Sequence, residues 1–415
     1  MEEFIVGLDI GTTKIGVVIG EVNEEGRLNV VGTGVSPSEG LSKGVVVNIA
    51  QTVQSIRKAV EEAELMAGVE INSVFVGVAG EHIMSMSAKG DVAIEGDEKE
   101  VTRKDISAVL KHAQALCLPP DREIIHCIPG YYSIDGQEGI KEPIGMSGVK
   151  LGAEVHLVHG ASASIRNIYK SVEKAGLEIE EIVLESLASS YSVLKPDEKE
   201  LGTALVDIGG GTTDIAIFYE NNIYHTAVVP FGGEYVTKDI SHGIRAPYTD
   251  AENIKRRHGV ALSSLVDQNE FIEVPGIGGR ASREESKKKL AGIIEARMEE
   301  IFELSKKEIE KSQYSDTLTA GIVLSGGGIM MEGTAELAEK VFGREVRIGK
   351  PQGFSGLSEE AGSPVFATGV GLVMYGLEKV IEDEEEEPET GGGGFGGYVK
   401  GLFGGLKNFN IKEYF

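Results

Sequence analysis

A short pattern occurs twice in this chain: an apolar strand ends in aspartate and is followed by glycine and a pair of threonines. Residues 7–14 read Gly-Leu-Asp-Ile-Gly-Thr-Thr-Lys, and residues 205–214 read Leu-Val-Asp-Ile-Gly-Gly-Gly-Thr-Thr-Asp. A second apolar strand follows each copy, at 15–20 and at 215–219. Each copy therefore predicts a β-hairpin whose turn is made of glycine and threonine.

Turns of this composition are suited to binding phosphate. Glycine lets backbone N–H groups approach the anion where a Cβ would obstruct them, and the threonine hydroxyls can approach it as well. Asp9 and Asp207, at the strand ends, suit Mg²⁺, which takes one or two carboxylates, usually through water, together with phosphate oxygens. Two such turns facing each other would clamp the phosphate tail of a nucleotide. The predicted phosphate-binding residues are Gly11, Thr12, Thr13, Lys14, Gly209, Gly210, Gly211, Thr212 and Thr213.

A third glycine cluster lies further along the chain. The apolar strand 320–325 runs into Gly326, Gly327 and Gly328, and the pattern of residues 330–342 predicts a helix. Glycines before a helix N-terminus let backbone donors and the positive end of the helix meet a phosphate or a ribose. We therefore predict that these three glycines contact the nucleoside.

Two Asp-Gly-Thr hairpins followed by a strand, three glycines and a helix resemble the actin, Hsp70 and sugar kinase superfamily, and the resemblance covers residues 1–380. Residues 40–49 (Gly-Leu-Ser-Lys-Gly-Val-Val-Val-Asn-Ile) and 76–80 (Val-Gly-Val-Ala-Gly) resemble the FtsA family of bacterial cell-division actins. This implies an α/β fold of the actin/Hsp70/sugar-kinase type, with duplicated ribonuclease-H-like halves and an inserted small α/β subdomain. It also implies a protein that binds ATP and Mg²⁺, forms filaments and ties the tubulin-like protein FtsZ to the cytoplasmic membrane.

The same resemblance implies a division into subdomains. The first actin-like half, 1A, comprises residues 1–80, 160–200 and 351–380, and it is interrupted by subdomain 1C at 81–159. The second half, 2A, comprises 201–235 and 306–350, and it contains subdomain 2B at 236–305. An acidic and glycine-rich linker, 381–394, and a tail, 395–415, follow.

Segments 182–190 and 363–371 resemble the two helices that cross at the domain hinge, where small residues allow a close approach. In related bacterial actins, an acidic residue at the position of Glu185 helps to orient the attacking water. Glu185 is therefore the candidate catalytic residue, although its pKa and geometry decide whether it acts. Because family members are often poor ATPases, we expect at most weak ATPase activity.

Three charged residues of the second half have two interpretations each. Glu252 and Lys255 share a helix face, and they form either a surface ion pair or, by family resemblance, contacts to the purine and ribose. Arg297 lies on a helix predicted from 280 to 312. It is either a solvent-facing arginine or, by the same resemblance, a contact for the acidic C-terminal peptide of FtsZ.

The end of the chain carries an apolar stripe at helical spacing, after an acidic run and four glycines. Large apolar residues behind a flexible linker need a partner, either a membrane surface or a protein groove. Five glycines between 396 and 405 cost about 1 kcal/mol each in a helix, so we expect the tail to become helical only on the membrane. Typical tails of the family are more basic, so hydrophobic insertion is expected to outweigh electrostatic attraction. The stripe consists of Phe395, Tyr398, Val399, Leu402, Phe403, Leu406 and Phe409.

Composition restricts the partners and the location. The net charge of −26 argues against nucleic-acid binding, because phosphate backbones are bound by clustered Lys and Arg. No basic N-terminal region with an apolar stretch opens the chain, and no run approaches the roughly 18 apolar residues of a membrane span. We expect a peripheral protein at the division site, on the cytoplasmic face of the inner membrane. The family implies self-association into filaments and binding of lipids and later division proteins.

Three other classes share part of the pattern. A sugar or acetate kinase has the phosphate hairpins but no use for a tethered amphipathic tail. The type IV pilus actin-like protein shares the inserted subdomain but lacks the terminal helix. An Hsp70-type chaperone needs a large β-rich domain, for which 415 residues leave no room. The tail therefore favours the division protein.

Overall fold

The computed structural model describes residues 4–23, 27–96, 98–115, 118–276, 278 and 280–386. It begins with three antiparallel strands, a small hairpin, a long helix and a further strand. α1 begins where the sequence predicts a cap, because the Asn48 side chain accepts a hydrogen bond from the backbone N–H of Gln51. The elements are β1 (Phe4–Ile10), β2 (Lys14–Val22), β3 (Leu28–Pro37), β4 (Leu41–Ser42), β5 (Val45–Val46), α1 (Ile49–Ala67) and β6 (Ser73–Val78).

A small α/β unit then interrupts the first half. It consists of β7 (Met84–Ala93), α2 (Arg103–Ala115), β8 (Arg122–Ile134), β9 (Gln137–Ile140) and β10 (Lys150–Ala161). Its strands form a separate sheet in the order β7-β10-β8-β9. α2 packs closely on this sheet over Gly90, where an added Cβ would lie 2.6 Å from the helix backbone. The inserted subdomain expected from the sequence is therefore present.

The chain returns to the first half and then crosses to the second. The connecting elements are α3 (Ser162–Ala175), β11 (Glu178–Leu184), α4 (Glu185–Val193) and α5 (Pro196–Leu201). The second half contains β12 (Thr203–Ile208), β13 (Thr213–Tyr219), β14 (Asn222–Val229), α6 (Gly233–Gly243), α7 (Tyr248–His258), β15 (Phe271–Val274), β16 (Arg283–Ser286), α8 (Lys287–Lys311), β17 (Ile322–Ser325), α9 (Thr334–Phe342) and β18 (Val346–Ile348). The final elements are β19 (Ser355–Gly356), α10 (Ser358–Ala361) and α11 (Ala367–Glu386).

The two large sheets repeat one topology. The first is ordered β11-β6-β1-β2-β3-β19, and the second is ordered β14-β13-β12-β17-β18. In each sheet the strand that contains the motif aspartate pairs antiparallel with the next strand and parallel with a later one. These pairs are β1 with β2 and β6, and β12 with β13 and β17. This is the duplicated α/β architecture that the sequence predicts.

The hinge between the halves is formed by α4 and α11. A Cβ on Gly371 would collide with the carbonyl oxygen of Ala188, so glycine is what lets the two helices cross this closely. The Tyr191 hydroxyl donates to Glu378 Oε2 at 2.5 Å and ties the helices together. The segment 182–190 is not wholly helical as predicted, because residues 182–184 pair with β6 in the first sheet. Glu185 therefore stands at the first position of α4.

α11 is a core helix of the first half and is apolar on most of its surface. The stretch from Pro364 to Ile381 is long and apolar enough to cross a membrane, with mean hydropathy 1.3, but 78% of it is buried in the protein. This corrects the expectation that no run approaches the length of a span, and it follows because a helix packed on several sides is apolar all round. The helix also continues to Glu386, into the predicted linker 381–394, since glutamate has a high helix propensity.

Two further helix boundaries differ from the prediction. α8 begins at Lys287 rather than near residue 280, because β16 first pairs with β15 and the Ser286 side chain then accepts the N–H of Lys289. α9 begins at Thr334 rather than at 330, because Gly333 adopts the left-handed conformation, with φ 78°, directly before it. The third glycine cluster leads instead into a single 3-10 turn, Gly327–Ile329.

Candidate functional site

The two predicted phosphate turns lie against each other between the halves. A Cβ on Gly211 would lie 2.5 Å from Thr12 Oγ1, and a Cβ on Gly210 would collide with the Thr13 side chain. Thr12 Oγ1 accepts the backbone N–H of Gly44 at 3.0 Å, which leaves its own proton for a ligand. The structure therefore brings residues 11–14 and 209–213 together, as a clamp on one ligand requires.

The threonine hydroxyls of the second turn are used inside the protein. Thr212 donates to Asp214 Oδ2 at 2.9 Å, and Thr213 donates to the carbonyl oxygen of Phe231 at 2.8 Å. A hydroxyl has one proton, so neither group can donate to a phosphate in this arrangement. What the second turn offers a ligand is its glycine backbone.

Four carboxylates lie close enough to these turns and to one another to interact electrostatically. Asp9 and Asp207 are the penultimate residues of β1 and β12, one residue before the strand ends at which the sequence predicts them, and Asp214 pairs with Asp207 across the second hairpin. Glu185, at the start of α4, feels the charges of all three aspartates. The strand register and the position of the hinge helix thus gather acidic groups from both halves.

Burial and mutual repulsion favour the neutral forms of these groups. Burial, with repulsion from neighbouring aspartates, raises the pKa of Asp207 to about 6 and that of Asp214 to about 8. The same two causes raise the pKa of Glu185 well above its usual range. Glu185 Oε1 and Asp214 Oδ1 are buried and accept no hydrogen bond from any described residue. The cluster therefore holds more negative potential than its own donors balance.

Lys14 supplies a positive charge to this cluster. Its Nζ lies 3.6 Å from Asp9 Oδ2 and donates to the carbonyl oxygen of Val365 at 2.6 Å. It also lies 4.9 Å from the centre of the Phe366 ring, within cation–π distance. These contacts hold Lys14 at the hinge, beside Asp9, at the end of the first turn.

The donor set fits a water-rich Mg²⁺ site better than a closed metal cage. Over the residues that the structure describes, no group of three or more His, Cys, Asp or Glu side chains is arranged to hold a metal ion. Mg²⁺ keeps several waters and takes one or two carboxylates together with phosphate oxygens. Asp9 and Asp207, with the unpartnered oxygen of Asp214 nearby, can meet that requirement.

Glu252 and Lys255 belong to a mostly buried polar network. Lys255 Nζ lies 2.8 Å from Glu252 Oε2, and the two side chains are only 14% and 25% exposed. Lys255 also donates to the carbonyl oxygen of Gly233 at 3.0 Å and to Thr237 Oγ1 at 2.8 Å. Burial lowers the pKa of Lys255, against the attraction of Glu252. The two residues form an ion pair, but it lies between α6 and α7 rather than on the open surface.

The third glycine cluster joins this network to the acidic cluster. Gly326 has φ 86°, and a Cβ there would collide with the carboxylate of Asp207. Gly328 Cα lies 3.8 Å from the position of a Cβ on Gly233, at the start of α6. The prediction that the glycines lead directly into a helix N-terminus is wrong, since α9 begins only at Thr334. The cluster can therefore offer a nucleoside its backbone groups but not the helix dipole.

Sequence reasoning does not identify three residues of the site. Asp214 follows the second threonine pair, where the first copy has Lys14, and this difference between the copies is the signal that could have found it. Ser189 Oγ donates to Asp207 Oδ2 at 2.6 Å but is one of several serines in a run of small residues. Thr237 accepts a hydrogen bond from Lys255 and donates one to Glu252, and no sequence pattern predicts these contacts.

Arg297 forms ion pairs with acidic residues of α6 and α8. Its Nε donates to Asp239 Oδ2 and its Nη1 donates to Glu300 Oε2, both at 2.5 Å. The side chain is only 20% exposed, so it is not the freely solvated arginine of one interpretation. An acidic peptide would have to compete with these two carboxylates.

The predicted membrane residues, from Phe395 to Phe409, and residues 387–394 of the predicted linker lie outside the described residues.

Two protein-family models match the chain. The model described as cell division protein FtsA matches residues 204–371. The model described as the SHS2 domain inserted in FtsA matches residues 80–159. The second range contains β7, α2, β8 and β9 and all but the last two residues of β10.

Relatives and solved structures extend the match over most of the chain. The cell division protein FtsA of Pseudomonas aeruginosa is 52% identical over 377 residues, which cover 91% of this chain and 90% of that protein. The PilM–PilN type IV pilus biogenesis complex aligns with a TM-score of 0.65 at 16% identity, over 91% of this chain and 99% of that one. MreB5 of Spiroplasma citri bound to ADP aligns with a TM-score of 0.54 at 15% identity, over 93% and 99%. At these identities the two structural likenesses show the fold alone.

Proposed function

The chain belongs to the FtsA family of cell division proteins, and we propose that it is an ATP-binding, actin-like tether between FtsZ filaments and the cytoplasmic membrane. The observation that carries the nucleotide part of this proposal is the acidic cluster beside two facing Gly/Thr turns. The pilus and kinase alternatives lose support, because a relative that is 52% identical over 91% of the chain is a cell division protein.

Mg-ATP is proposed to bind between the two halves. The turns at 11–14 and 209–213 would hold the phosphates, the second mainly through backbone N–H groups. Gly326, Gly327 and Gly328, with Glu252 and Lys255, would lie at the nucleoside. Mg²⁺ near Asp9 and Asp207 would neutralise part of the negative charge of the phosphates and carboxylates when bound. The ADP bound to MreB5, which has the same fold, supports the choice of nucleotide.

Glu185 is proposed to position water at the phosphates, with weak ATPase activity. Burial and three aspartates raise the pKa of Glu185, which favours the protonated form of its carboxyl when no cation is present. A protonated carboxyl can donate a hydrogen bond to water but cannot accept its proton. Only a cation that lowers this pKa would make Glu185 an acceptor, which fits a slow hydrolysis that depends on the bound metal.

The remaining parts of the proposal concern partners. Subdomain 2B, residues 236–305, would bind the acidic C-terminal peptide of FtsZ, with Arg297 as a contact once the peptide displaces Asp239 or Glu300. The apolar stripe of the tail, 395–415, would insert into the inner face of the membrane at the division site. Self-association into filaments and recruitment of later division proteins would follow from the family role.

Nucleotide binding is tested by titrating the purified full-length protein with ATP in Mg²⁺, and by repeating the titration with Asp207→Ala. We expect the variant to stay folded and to lose at least about tenfold in affinity, equal to about 1.4 kcal/mol, since a carboxylate near the metal is removed. The control is Asp121→Ala, which removes an exposed aspartate outside the cluster. An unchanged affinity in folded Asp207→Ala would remove Asp207 from the site.

A further inference from the structure

A buried histidine of the inserted subdomain contacts the start of the hinge helix α4. His126 lies on β8 and is 7% exposed. Its Nε2 accepts the backbone N–H of Leu184 at 3.0 Å, from a residue 58 positions away in the chain. Leu184 is the last residue of β11 and the N-cap of α4, so Glu185 follows it directly as the first residue of the helix. The inserted subdomain therefore holds the residue next to the candidate catalytic carboxyl.

The conformation of Leu184 decides the direction in which Glu185 leaves the backbone. The chain turns from strand to helix at Leu184, where φ is −61° and ψ is 129°. Leucine has no polar side chain, so α4 begins without the hydrogen bond that a serine or aspartate cap provides. Glu185 Oε1 is buried and accepts no hydrogen bond from any described residue. The backbone at this turn, together with the packing around the Glu185 side chain, therefore sets the position of the carboxyl.

The surroundings of His126 make its ring a neutral acceptor. Burial, with the positive charge of Lys379, lowers the pKa of His126 to about 4, so the ring is neutral at neutral pH. A neutral imidazole that accepts at Nε2 carries its proton on Nδ1, which lies 4.0 Å from Glu181 Oε1. The ring lies edge-on to Tyr375 of α11, with 6.3 Å between the ring centres, and the Tyr375 hydroxyl donates to the same Glu181 oxygen at 2.8 Å. Contacts from β11 and α11 thus hold the acceptor in place.

We propose that His126 is a positioning residue for Glu185, so that the inserted subdomain contributes to ATP hydrolysis by holding the start of α4. This role rests on the proposed function, because it requires ATP between the halves and Glu185 at the attacking water. His126 acts through the backbone of Leu184 and not on the reacting atoms. A misplacement of about 1 Å can lower a rate by about 10²-fold, so the loss of this hydrogen bond should affect hydrolysis much more than ATP binding.

A second buried histidine of the inserted subdomain provides a matched comparison. His156 lies on β10 and is 5% exposed, and its Nε2 forms a hydrogen bond with Thr226 Oγ1 at 3.0 Å. Thr226 belongs to β14 of the second half, whereas Leu184 belongs to the first sheet. Removing the His156 bond therefore changes a histidine of the same subdomain and similar burial but leaves His126 on Leu184.

The test compares His126→Gln with His126→Asn in the full-length protein. A glutamine amide oxygen can take the place of Nε2, whereas asparagine is too short to reach Leu184. Single-turnover phosphate release from Mg-ATP should slow at least about tenfold in His126→Asn and stay within about threefold of the parent in His126→Gln. ATP affinity should change by less than about twofold in both variants. His156→Asn should keep the parental rate and affinity.

Hydrogen exchange of the Leu184 amide gives a readout that does not depend on hydrolysis. His126 protects this N–H, so the peptide that contains Leu184 should exchange at least about tenfold faster at that amide in His126→Asn, without nucleotide. His126→Gln and His156→Asn should keep the parental protection. Parental protection of Leu184 in His126→Asn would overturn the proposed role.

Hydrolysis decides whether the contact matters to Glu185. Parental phosphate release in His126→Asn would overturn the role, and so would a loss of hydrolysis in folded His126→Gln, which retains the acceptor. Parental release in Glu185→Gln would contradict the proposed function of Glu185, and the role of His126 would fall with it. Slow release in Glu185→Gln together with parental release in His126→Asn would leave the proposed function intact and overturn only the role of His126.

Discussion

Asp207 and Asp214 face each other across a hairpin in surroundings that favour their protonated forms. The site is therefore strained electrostatically when it holds no cation, and a bound Mg²⁺ would relieve that strain. Glu185 Oε1 and Asp214 Oδ1 are buried without a hydrogen-bond donor, so they are open to a cation or its water. At the scale of single residues, the account predicts effects of pH and of charge removal that differ from those of ordinary surface carboxylates.

The contribution of Asp207 and Asp214 to stability should fall as pH rises when nucleotide and metal are absent, whereas buried histidines such as His126 and His156, whose pKa burial lowers, contribute in the opposite direction. In the unfolded chain an aspartate loses its proton near the usual pKa of 3.8, whereas folded Asp207 and Asp214 keep theirs up to about pH 6 and 8. The stabilisation is therefore complete below about pH 4 and is lost as pH rises through 6 and 8, by up to about 1.4 kcal/mol per pH unit and group. Chemical denaturation in EDTA at pH 5, 6.5 and 8 measures the slope.

The variant Asp214→Asn separates the pH dependence of stability that comes from the cluster from that caused by the negative net charge of the chain. It should remove the negative contribution of Asp214 to the slope of stability against pH between pH 5 and 8, and raise the free energy of unfolding at pH 8. Asp121→Asn, which removes a similar charge from an exposed loop, should leave the slope as it is. An Asp214→Asn protein with the slope of the parent would contradict the assignment.

Glu185→Gln should separate binding from hydrolysis. The amide removes a buried carboxyl that repels the aspartates, so ATP affinity in Mg²⁺ should be unchanged or tighter. Hydrolysis should fall by about 10²-fold or to background, because the water loses its positioning group. Single-turnover phosphate release measures the loss, and release at the parental rate would exclude Glu185 from the reaction.

At the scale of elements, sequence patterns predicted those helices and strands that depend on interactions between residues close in sequence. Residues close in sequence determine the two hairpins, the cap of α1 at Asn48, and the strands and helix of the inserted unit. The structure contains all of these elements. The start of α9 depends on the conformation of Gly333, and the start of α4 on the pairing of residues 182–184 with β6. The partner of Thr213, the carbonyl of Phe231, comes from another strand end, so no local pattern reveals it.

Two helical glycines test the close packing of α4 and α11 at the hinge. Gly371→Ala should destabilise the protein by about 3 kcal/mol, because the new methyl group meets the backbone of α4 and forces the helices apart. Gly292→Ala, in α8, should instead stabilise by about 0.5–1 kcal/mol, since a Cβ there meets nothing within 4 Å. Thermal and urea unfolding measure both changes, and equal effects at the two glycines would refute the packing argument.

The peptide site on α8 is tested by reversing one charge. Arg297→Glu should weaken binding of an FtsZ C-terminal peptide several-fold and make it less sensitive to salt, because an attraction becomes a repulsion. Lys311→Glu, at the far end of the same helix, is the control. If both variants bind the peptide as the parent does, Arg297 serves only its ion pairs with Asp239 and Glu300.

At the scale of the whole molecule, the proposal joins three activities in one chain. In this proposal, nucleotide would bind between the halves, the FtsZ peptide would bind subdomain 2B, and the tail would bind lipid. Many tails on one filament act together, so polymerisation and membrane binding should reinforce each other without any new contact. The apolar stripe of the tail can be predicted from sequence because its spacing is local, and its insertion into a membrane stays a prediction.

The central claim is tested most directly by sedimenting liposomes with FtsZ, Mg-ATP and the full-length protein. We expect FtsZ to pellet with the liposomes only when this protein is present. Truncation after Gly394, or Phe403→Glu together with Leu406→Glu, should abolish pelleting of both proteins while leaving ATP binding intact, since the apolar stripe is lost. A truncated protein that still carried FtsZ to the liposomes would contradict the account.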